Sequence, residues 1–279
     1  MMTEEQIFKK GSTTYYWSSK FFPEATRQDV FKLYSFVRVA DDFVDATPQD
    51  KKSFDALARA WSKLASGKKI RQKQGNTINK VTQNMYDVAI KYHFDFAWID
   101  AFLASMKMDL QGRTYETMDD TLEYIYGSAE VIGLMMARIL GVKPEAYEYA
   151  KMQGRAMQYI NFIRDISEDI DLGRCYFPKT ELHKYGLETL SERVVLHHRP
   201  EFREFIEGQL QHYTEWQKEA NKGFKAIPYK QRIALRTAVD MYNWTALKLA
   251  RDPFVVFYKK VKPSKYRVVT RALKRSIHA

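Results

Sequence analysis

A run of polar residues among isoleucines and phenylalanines is the feature that most restricts how this chain can fold. Positions 158 to 171 read QYINFIRDISEDID. In an α-helix, four of its amide and carboxylate side chains share one stripe, about a turn apart: Gln158, Asn161, Asp165 and Asp169. Like charges at this spacing repel, and the apolar neighbours favour burial, so the oxygens need a positive partner. Mg²⁺ is a hard cation that prefers such oxygen ligands.

A second acidic segment, RVADDFVD at positions 38 to 45, has the same character. Pro23 opens a predicted helix from about Glu24 to Asp45, on which Asp41 and Asp45 share a face and Arg38 lies one turn earlier. One such string alone is also typical of a solvated helix face. Two of them facing each other across a cavity would form a divided acidic site, able to hold Mg²⁺ and through it a diphosphate.

Both segments resemble the Asp-rich motifs of the phytoene/squalene synthase family, the head-to-head prenyl synthases, and bacterial or archaeal phytoene synthases most of all. The second motif continues into Gly173-Arg174-x-Tyr176-x-Pro178, and the resemblance extends from about residue 11 to residue 260. It implies an isoprenoid synthase-type helical bundle with a central apolar cavity. It also implies a Mg²⁺-dependent enzyme, with Mn²⁺ as a substitute metal.

The motifs and the resemblance together nominate the site residues. The predicted metal ligands are Asp41, Asp45, Asn161, Asp165 and Asp169. The predicted catalytic residues are the four aspartates and Tyr124, which stands where the family has its catalytic tyrosine. The predicted substrate-binding residues are Ser12, Thr14, Tyr34, Arg38, Gln158, Asn161, Arg174, Tyr176 and Tyr242.

Several of these assignments have plainer alternatives. The hydroxyls of Ser12 and Thr14 also suit a helix cap, Arg174 could form a helix-end ion pair, and Tyr242 could be core packing. The segment from residue 119 to residue 141 is predicted to be a helix whose small residues allow close backbone approach. Glu130 departs from the family pattern, because most relatives have a small residue there.

Composition supports one all-α domain over residues 1–279. Gly (12) and Pro (8) are scarce, and apolar residues recur at helical spacing without a linker between two halves. The single cysteine, Cys175, excludes an intrachain disulfide. No apolar signal segment and no membrane-spanning run are present, so we expect a cytoplasmic protein.

The charge of +11 suits nucleic acid, an anionic membrane or a phosphorylated substrate. Much of it lies in a basic C-terminal tail from about residue 259, which could rest on an anionic bilayer or form a disordered, solvated tail. A basic helical RNA-binding or membrane scaffold protein would explain this charge but leaves both aspartate pairs without a role. We therefore expect prenyl diphosphates, and no nucleic acid, as partners.

The chemistry implied by the resemblance is head-to-head condensation of two prenyl diphosphates through a cyclopropylcarbinyl diphosphate. Aromatic faces such as Phe31, Tyr34 and Tyr242 would shield the carbocation, and Tyr124 or the released diphosphate would accept the proton. Phytoene from two geranylgeranyl diphosphates is the expected product, because no NADPH-binding motif or membrane anchor is evident and Ser18 and Ser19 leave depth for a long tail. Squalene or dehydrosqualene synthesis from farnesyl diphosphate, and cyclisation of a single substrate, are the alternatives.

Overall fold

The structure, a computed structural model, describes residues 3–71 and 76–277. Over these two ranges the chain forms α-helices with a few π and 3₁₀ turns and no β-strand, which confirms the predicted all-α fold. The helices are α1 (Glu4–Gly11), α2 (Thr13–Ser19), α3 (Glu24–Asp45), α4 (Lys51–Ala65), α5 (Thr77–Lys91), α6 (Phe96–Gln111), α7 (Met118–Ile125), α8 (Val131–Ile139), α9 (Tyr147–Arg164), α10 (Ile166–Asp171), α11 (Lys179–Lys184), α12 (Glu192–His197), α13 (Arg199–Asn221), α14 (Tyr229–Arg251), α15 (Val255–Tyr258) and α16 (Lys265–Ile277).

Helix α3 carries the first Asp pair and has the bounds that the sequence predicts. Pro23 occupies its N-cap, where the fixed φ of proline suits a helix start. Its buried residues recur at steps of three and four and form the face that packs into the bundle: Val30, Leu33, Phe36, Ala40 and Val44. This packing fixes the rotation of α3 and therefore the direction in which its aspartates point.

Small residues bring three helices into close contact around a π-helical turn. The segment predicted as one helix is α7 and α8 separated by this turn, Tyr126–Glu130. A Cβ added to Gly127 would lie 2.2 Å from the Ala101 carbonyl oxygen of α6. A Cβ added to Gly133 would lie 2.2 Å from the Ala150 carbonyl oxygen of α9. The predicted close approach is therefore confirmed, and so is the predicted helix, which continues through the π-turn from α7 into α8.

The second Asp motif is not one continuous helix, which corrects the prediction for residues 158 to 171. Helix α9 ends at Arg164, Asp165 has φ −101° and ψ 16°, and α10 begins at Ile166. Adjacent residues of a regular helix do not face each other, but this local change lets the Arg164 Nε donate to Asp165 Oδ1 at 2.8 Å. The Asp169 amide still donates to the Asp165 carbonyl oxygen at 2.9 Å, so the two aspartates stay about one turn apart.

The basic C-terminal segment is a folded helix, which contradicts the alternative of a disordered tail. Helix α16 packs on α14 and α2, with Val268 and Ala272 fully buried in the contact. Asp240 of α14 accepts hydrogen bonds from Arg271 Nε at 2.6 Å and Arg275 Nε at 2.8 Å. These ion pairs and the buried side chains attach the segment to the bundle.

In the ranges 3–71 and 76–277, none of the helices combines the length and the apolar character that crossing a bilayer requires.

Candidate active site

A cavity of about 280 Å³ lies between α2, α3, α8, α9 and α14. Its walls are mainly small and apolar side chains, such as Leu33, Ala129, Met136 and Leu235. The lining also includes Ser18 and Ser19, whose hydroxyls donate back to carbonyl oxygens of their own helix. These two hydroxyls therefore stay paired when a long hydrocarbon fills the cavity.

Two helices lead from this cavity to the acidic residues. Tyr34 on α3 and Asn161 on α9 line the cavity, and the first aspartate of each motif follows them by one or two turns. Gln158 also lines the cavity, one turn before Asn161. The acidic residues therefore begin one or two helical turns beyond the residues that line the apolar cavity.

Arg174 connects the two Asp motifs. Its Nη1 lies 2.6 Å from Asp45 Oδ1, and its Nη2 donates to the Val44 carbonyl oxygen at 2.6 Å. Its own backbone amide donates to the carbonyl oxygen of Asp169 at 2.8 Å. The end of α3 and the end of α10 are therefore neighbours, and the structure brings the sequence-predicted aspartates together. Arg174 forms an ion pair, as the plainer alternative holds, while its Nε is buried without a hydrogen-bond partner among the described residues.

The carboxylates of this site repel one another. Burial in the site and the charge of Asp45 raise the pKa of Asp41 to about 7. Burial, Asp165 and Asp45 also raise the pKa of Asp169 well above its usual range, against the opposing effect of Arg174. Asp165 behaves differently, because the bonded Arg164 guanidinium outweighs burial and holds its pKa below the usual range. Asp41 and Asp169 are therefore the carboxylates that most need an added cation.

The residues fit a hard cation. The Asn161 Oδ1 atom is buried and has no hydrogen-bond partner among the described residues, so it is available as an oxygen ligand. Within 3–71 and 76–277, no three His, Cys, Asp or Glu side chains form a cluster that could hold a metal ion by themselves. Mg²⁺ is commonly bound by one or two carboxylates together with substrate phosphates.

Arg38 and Lys260 supply further positive charge beside the carboxylates. Arg38 forms ion pairs with Asp41 at 3.0 Å and with Asp42 at 2.5 Å. Lys260 approaches Asp165 Oδ1 at 3.6 Å and also contacts Glu168. The sequence predictions did not include Lys260. The sequence shows that Lys260 belongs to the basic segment, but only the tertiary fold brings that segment next to the second Asp motif.

Tyr124 and Tyr176 share a buried carboxylate on α6. The Tyr124 hydroxyl donates to Asp109 Oδ2 at 2.7 Å, and the Tyr176 hydroxyl donates to Asp109 Oδ1 at 2.8 Å. Burial raises the pKa of both tyrosines well above their usual range and raises the pKa of Asp109 to about 6. Asp109 was absent from the predicted site, although the sequence places it on the helix that precedes the tyrosine segment.

The predicted aromatic shield needs two corrections, because neither Tyr242 nor Phe31 lines the cavity. Tyr34 lines the cavity. Tyr242 is buried, and its ring centroid lies 5.9 Å from that of Tyr15. Tyr15 lines the cavity and was not among the predicted residues. Phe31 does not line the cavity, because its ring packs against Phe8 at 5.3 Å and is fully enclosed by the core. Phe31 therefore cannot contact a substrate in this pocket.

The structure assigns a capping role to one of the two N-terminal hydroxyls. Ser12 is the N-cap of α2 and accepts a hydrogen bond from the Tyr15 amide at 3.2 Å, so the capping interpretation is confirmed for it. Thr14 lies in the first turn of α2 and is half-buried.

Glu130, the departure from the family pattern, is buried and paired. Its Oε1 accepts a hydrogen bond from Arg155 Nε at 2.6 Å, and the guanidinium of Arg155 lies 5.5 Å from the Trp216 ring. The carboxylate is therefore neutralised behind the cavity wall and does not enter the cavity.

Solved structures show which class of fold this is. A ligand-bound dehydrosqualene synthase superposes with a TM-score of 0.83 at 24% identity, covering 99% of this chain and 94% of that one. A squalene synthase from Alicyclobacillus acidocaldarius superposes with a TM-score of 0.77 at 18% identity, covering 90% and 93%. The fold is therefore the all-α isoprenoid synthase type found in squalene synthases.

The sequence defines the family more closely. The chain belongs to the squalene/phytoene synthase family, whose sequence model matches residues 8–267, and the predicted resemblance is confirmed. It is 30% identical over 257 residues to the 15-cis-phytoene synthase of Enterobacter agglomerans. The aligned segment covers 86% of this chain and 83% of that protein. It is 28% identical over 192 residues to the 4,4'-diapophytoene synthase of Staphylococcus haemolyticus. Here the aligned segment covers 67% of this chain and 65% of that protein. The family consists of prenyltransferase-type enzymes.

Proposed function

We propose that this protein condenses two geranylgeranyl diphosphates head to head to give phytoene and diphosphate, through a cyclopropylcarbinyl diphosphate. The observation that carries the proposal is an apolar cavity that lies one or two helical turns from two Asp motifs, whose ends Arg174 joins through its side chain and its backbone amide. A prenyl diphosphate has the same division into a long apolar tail and a strongly charged head.

The diphosphate would occupy the acidic end together with Mg²⁺ or Mn²⁺. Asp41, Asp45, Asn161, Asp165 and Asp169 would hold the metal, because they supply the oxygen ligands and the excess negative charge described above. When bound, the metal would neutralise the diphosphate oxygens and make the diphosphate a better leaving group.

The basic side chains of the site would complete diphosphate binding. Arg38, Arg174 and Lys260 each contact a carboxylate in the structure, and each could transfer that contact to a phosphate oxygen. The unpartnered Nε of Arg174 is a further donor for this purpose. Departure of the diphosphate is favoured because these cations stabilise the charge that develops on it.

Tyr15, Tyr34 and Tyr242 would protect the allylic cation from water. Tyr15 and Tyr34 line the cavity where it approaches the acidic site, and Tyr242 packs behind Tyr15. Each aromatic face in a desolvated position contributes about 1 to 2 kcal/mol of cation–π attraction.

The released diphosphate is the better proton acceptor of the two candidates. The pKa of Tyr124 is raised well above its usual range by burial, and its hydroxyl already donates to Asp109. A phenolate is therefore disfavoured at this position. We infer that Tyr124, with Tyr176 and Asp109, positions the substrate and orders the wall of the pocket.

The preference for a C20 substrate rests on the pocket and on the relatives. Ser18 and Ser19 line the cavity with small side chains and leave depth for a long tail. Several bacterial relatives are named 15-cis-phytoene synthase. Synthesis of squalene or dehydrosqualene from farnesyl diphosphate is the second candidate, supported by the Staphylococcus haemolyticus relative.

The test is a product analysis with each substrate separately. Purified protein is incubated with geranylgeranyl or farnesyl diphosphate, with and without Mg²⁺ and with and without NADPH, and the hydrocarbons are identified by mass. We expect phytoene from geranylgeranyl diphosphate, dependent on the metal and independent of NADPH. A product from farnesyl diphosphate alone would contradict the substrate assignment, and a product with the carbon number of one substrate would indicate a cyclase.

We also propose that the protein is cytoplasmic, contacts an anionic membrane peripherally and does not bind nucleic acid. The insolubility of the hydrocarbon product supports the membrane contact.

A further inference from the structure

Helix α16 has one face attached to the bundle. Val268 and Ala272, one turn apart, are fully buried against α14 and α2. Arg271 and Arg275 form ion pairs with Asp240, and the Lys265 ammonium lies 3.9 Å from the centre of the Trp17 ring on α2. This face holds the helix in a fixed rotation, so that the opposite face must point outward.

The opposite face combines apolar and basic side chains. Tyr266 and Leu273 are two helical turns apart on one stripe, with exposures of 79% and 53%. Arg267 and Lys274 are exposed along one edge of that stripe, and the Arg267 guanidinium lies 4.9 Å from the centre of the Trp244 ring at the border with α14. Such an arrangement is typical of helices that lie in a membrane interface, with apolar residues inserted and basic residues at the headgroups.

The surrounding charge is unbalanced. From residue 253 to the end of the sequence there is no Asp or Glu. The basic residues of this segment are Lys259, Lys260, Lys262, Lys265, Arg267, Arg271, Lys274 and Arg275. A second copy of the chain is a poor occupant of this face, because a two-fold contact would bring Arg267 and Lys274 of one copy against the same residues of the other. An anionic surface complements them.

The location of α16 connects this face with the cavity. The helix lies on the outer side of α2 and α14, and both helices line the cavity on their inner side through Tyr15, Ser18, Ser19, Ala234, Leu235 and Ala238. A hydrocarbon that leaves the cavity on this side therefore meets whatever covers α16.

We propose that the outer face of α16 is a docking surface for an anionic phospholipid bilayer. The docked bilayer then receives the hydrocarbon product from the cavity. The bilayer is chosen over other anionic partners because the face exposes Tyr266 and Leu273, which gain stability from burial in lipid. The release step rests on the proposed function, whereas docking itself does not.

Docking is tested with full-length protein and vesicles in the absence of substrate. Wild-type protein should co-sediment with vesicles that contain phosphatidylglycerol and remain free with pure phosphatidylcholine, and added salt should weaken the binding. Each basic residue near an anionic surface contributes roughly fivefold to affinity. R267E/K274E should therefore lower affinity by roughly twentyfold or more. Y266S/L273S removes the inserted side chains and should lower it roughly tenfold.

The matched control is K51E/K52E, which reverses two exposed charges on α4, a helix that packs on α3, α5 and α6. It should bind vesicles within about twofold of the wild type. Circular dichroism establishes that each variant is folded. Equal binding by wild type and R267E/K274E would overturn the proposal, as would binding of RNA without vesicles, or a dimer that Y266S/L273S dissociates.

Release is tested by turnover. With vesicles and without detergent, Y266S/L273S should complete a single turnover at the wild-type rate but slow at least fivefold in later turnovers, and detergent should restore it. A variant that turns over like wild type on vesicles would refute the release step. Activity in detergent reports the condensation itself, so failure of the proposed function is distinguishable from failure of docking.

Discussion

Replacement of Asp41 by Asn should stabilise the metal-free protein, although it removes a residue of the candidate site. The Asp41 carboxyl has a pKa of about 7 against an ordinary value of 3.8, which would correspond to roughly 4 kcal/mol without screening. Because 37% of the side chain is exposed in the pocket, water weakens the repulsion, and we expect about 1 to 2 kcal/mol. D41N removes this cost because the amide is uncharged.

The size of the effect depends on pH. A carboxyl group whose pKa is raised in the folded state favours folding when protonated, so its destabilising effect is absent near pH 4 and complete above about pH 7. Urea denaturation of metal-free protein at pH 5 and pH 8 should therefore show a larger gain for D41N at pH 8. D42N is the matched control, because Asp42 also pairs with Arg38 but is 53% exposed. The reasoning is refuted if D41N and D42N change stability equally at pH 8.

Three further substitutions test other parts of the molecule. S19F should reduce activity with geranylgeranyl diphosphate at least tenfold relative to farnesyl diphosphate, measured as a ratio of kcat/KM, because the ring fills cavity depth beside α2. E130A should destabilise the protein by about 3 kcal/mol in urea denaturation, because Arg155 is left without its buried partner. D240N should loosen α16 and increase amide hydrogen exchange between residues 265 and 277, because both arginine ion pairs are weakened.

Each of these has a control that separates the cause. S19A should keep the wild-type substrate ratio, and an unchanged ratio in S19F would contradict the assignment of Ser19 to the cavity wall. The double variant E130A/R155M should recover stability relative to E130A, since it removes the buried charge as well. Hydrogen exchange in α4 should be unaffected by D240N; a global increase would mean that α16 is not a separately opening unit.

Local spacing was sufficient for much of the fold and for the paired aspartates. The bounds of α3 follow from Pro23 and from apolar residues at steps of three and four. The same spacing placed Asp41 with Asp45. It could not detect the interruption at Asp165, since the helical spacing of apolar and acidic residues continues through that position to Ile170. Nor could it detect the π-turn, which depends on how closely α6 and α9 approach Gly127 and its neighbours.

The residues that sequence reasoning missed are those that reach the site from distant parts of the chain. Asp109 is separated from Tyr176 by 67 positions, and Lys260 is separated from Glu168 by 92. No periodicity relates residues so far apart, because only tertiary packing makes them neighbours. The prediction that Phe31 shields the substrate is wrong for a different reason. It lies one turn from Tyr34, but rotation of α3 turns it into the core, and spacing alone does not distinguish a buried face from a cavity face.

The ion pairs of the site explain how it can remain folded without ligand and still attract one. Arg174, Arg164 and Lys260 are paired with Asp45, Asp165 and Glu168, so those carboxylates are largely neutralised. Asp169 forms no ion pair among the described residues, and Asp41 shares Arg38 with Asp42, so these two carboxyls retain the raised pKa. A cation is therefore drawn toward the carboxyls that the protein leaves least compensated. Under the proposed function, a bound cation would neutralise them, and the arginines and the lysine would then be able to exchange their carboxylate partners for a diphosphate, because the remaining aspartates would no longer depend on them alone.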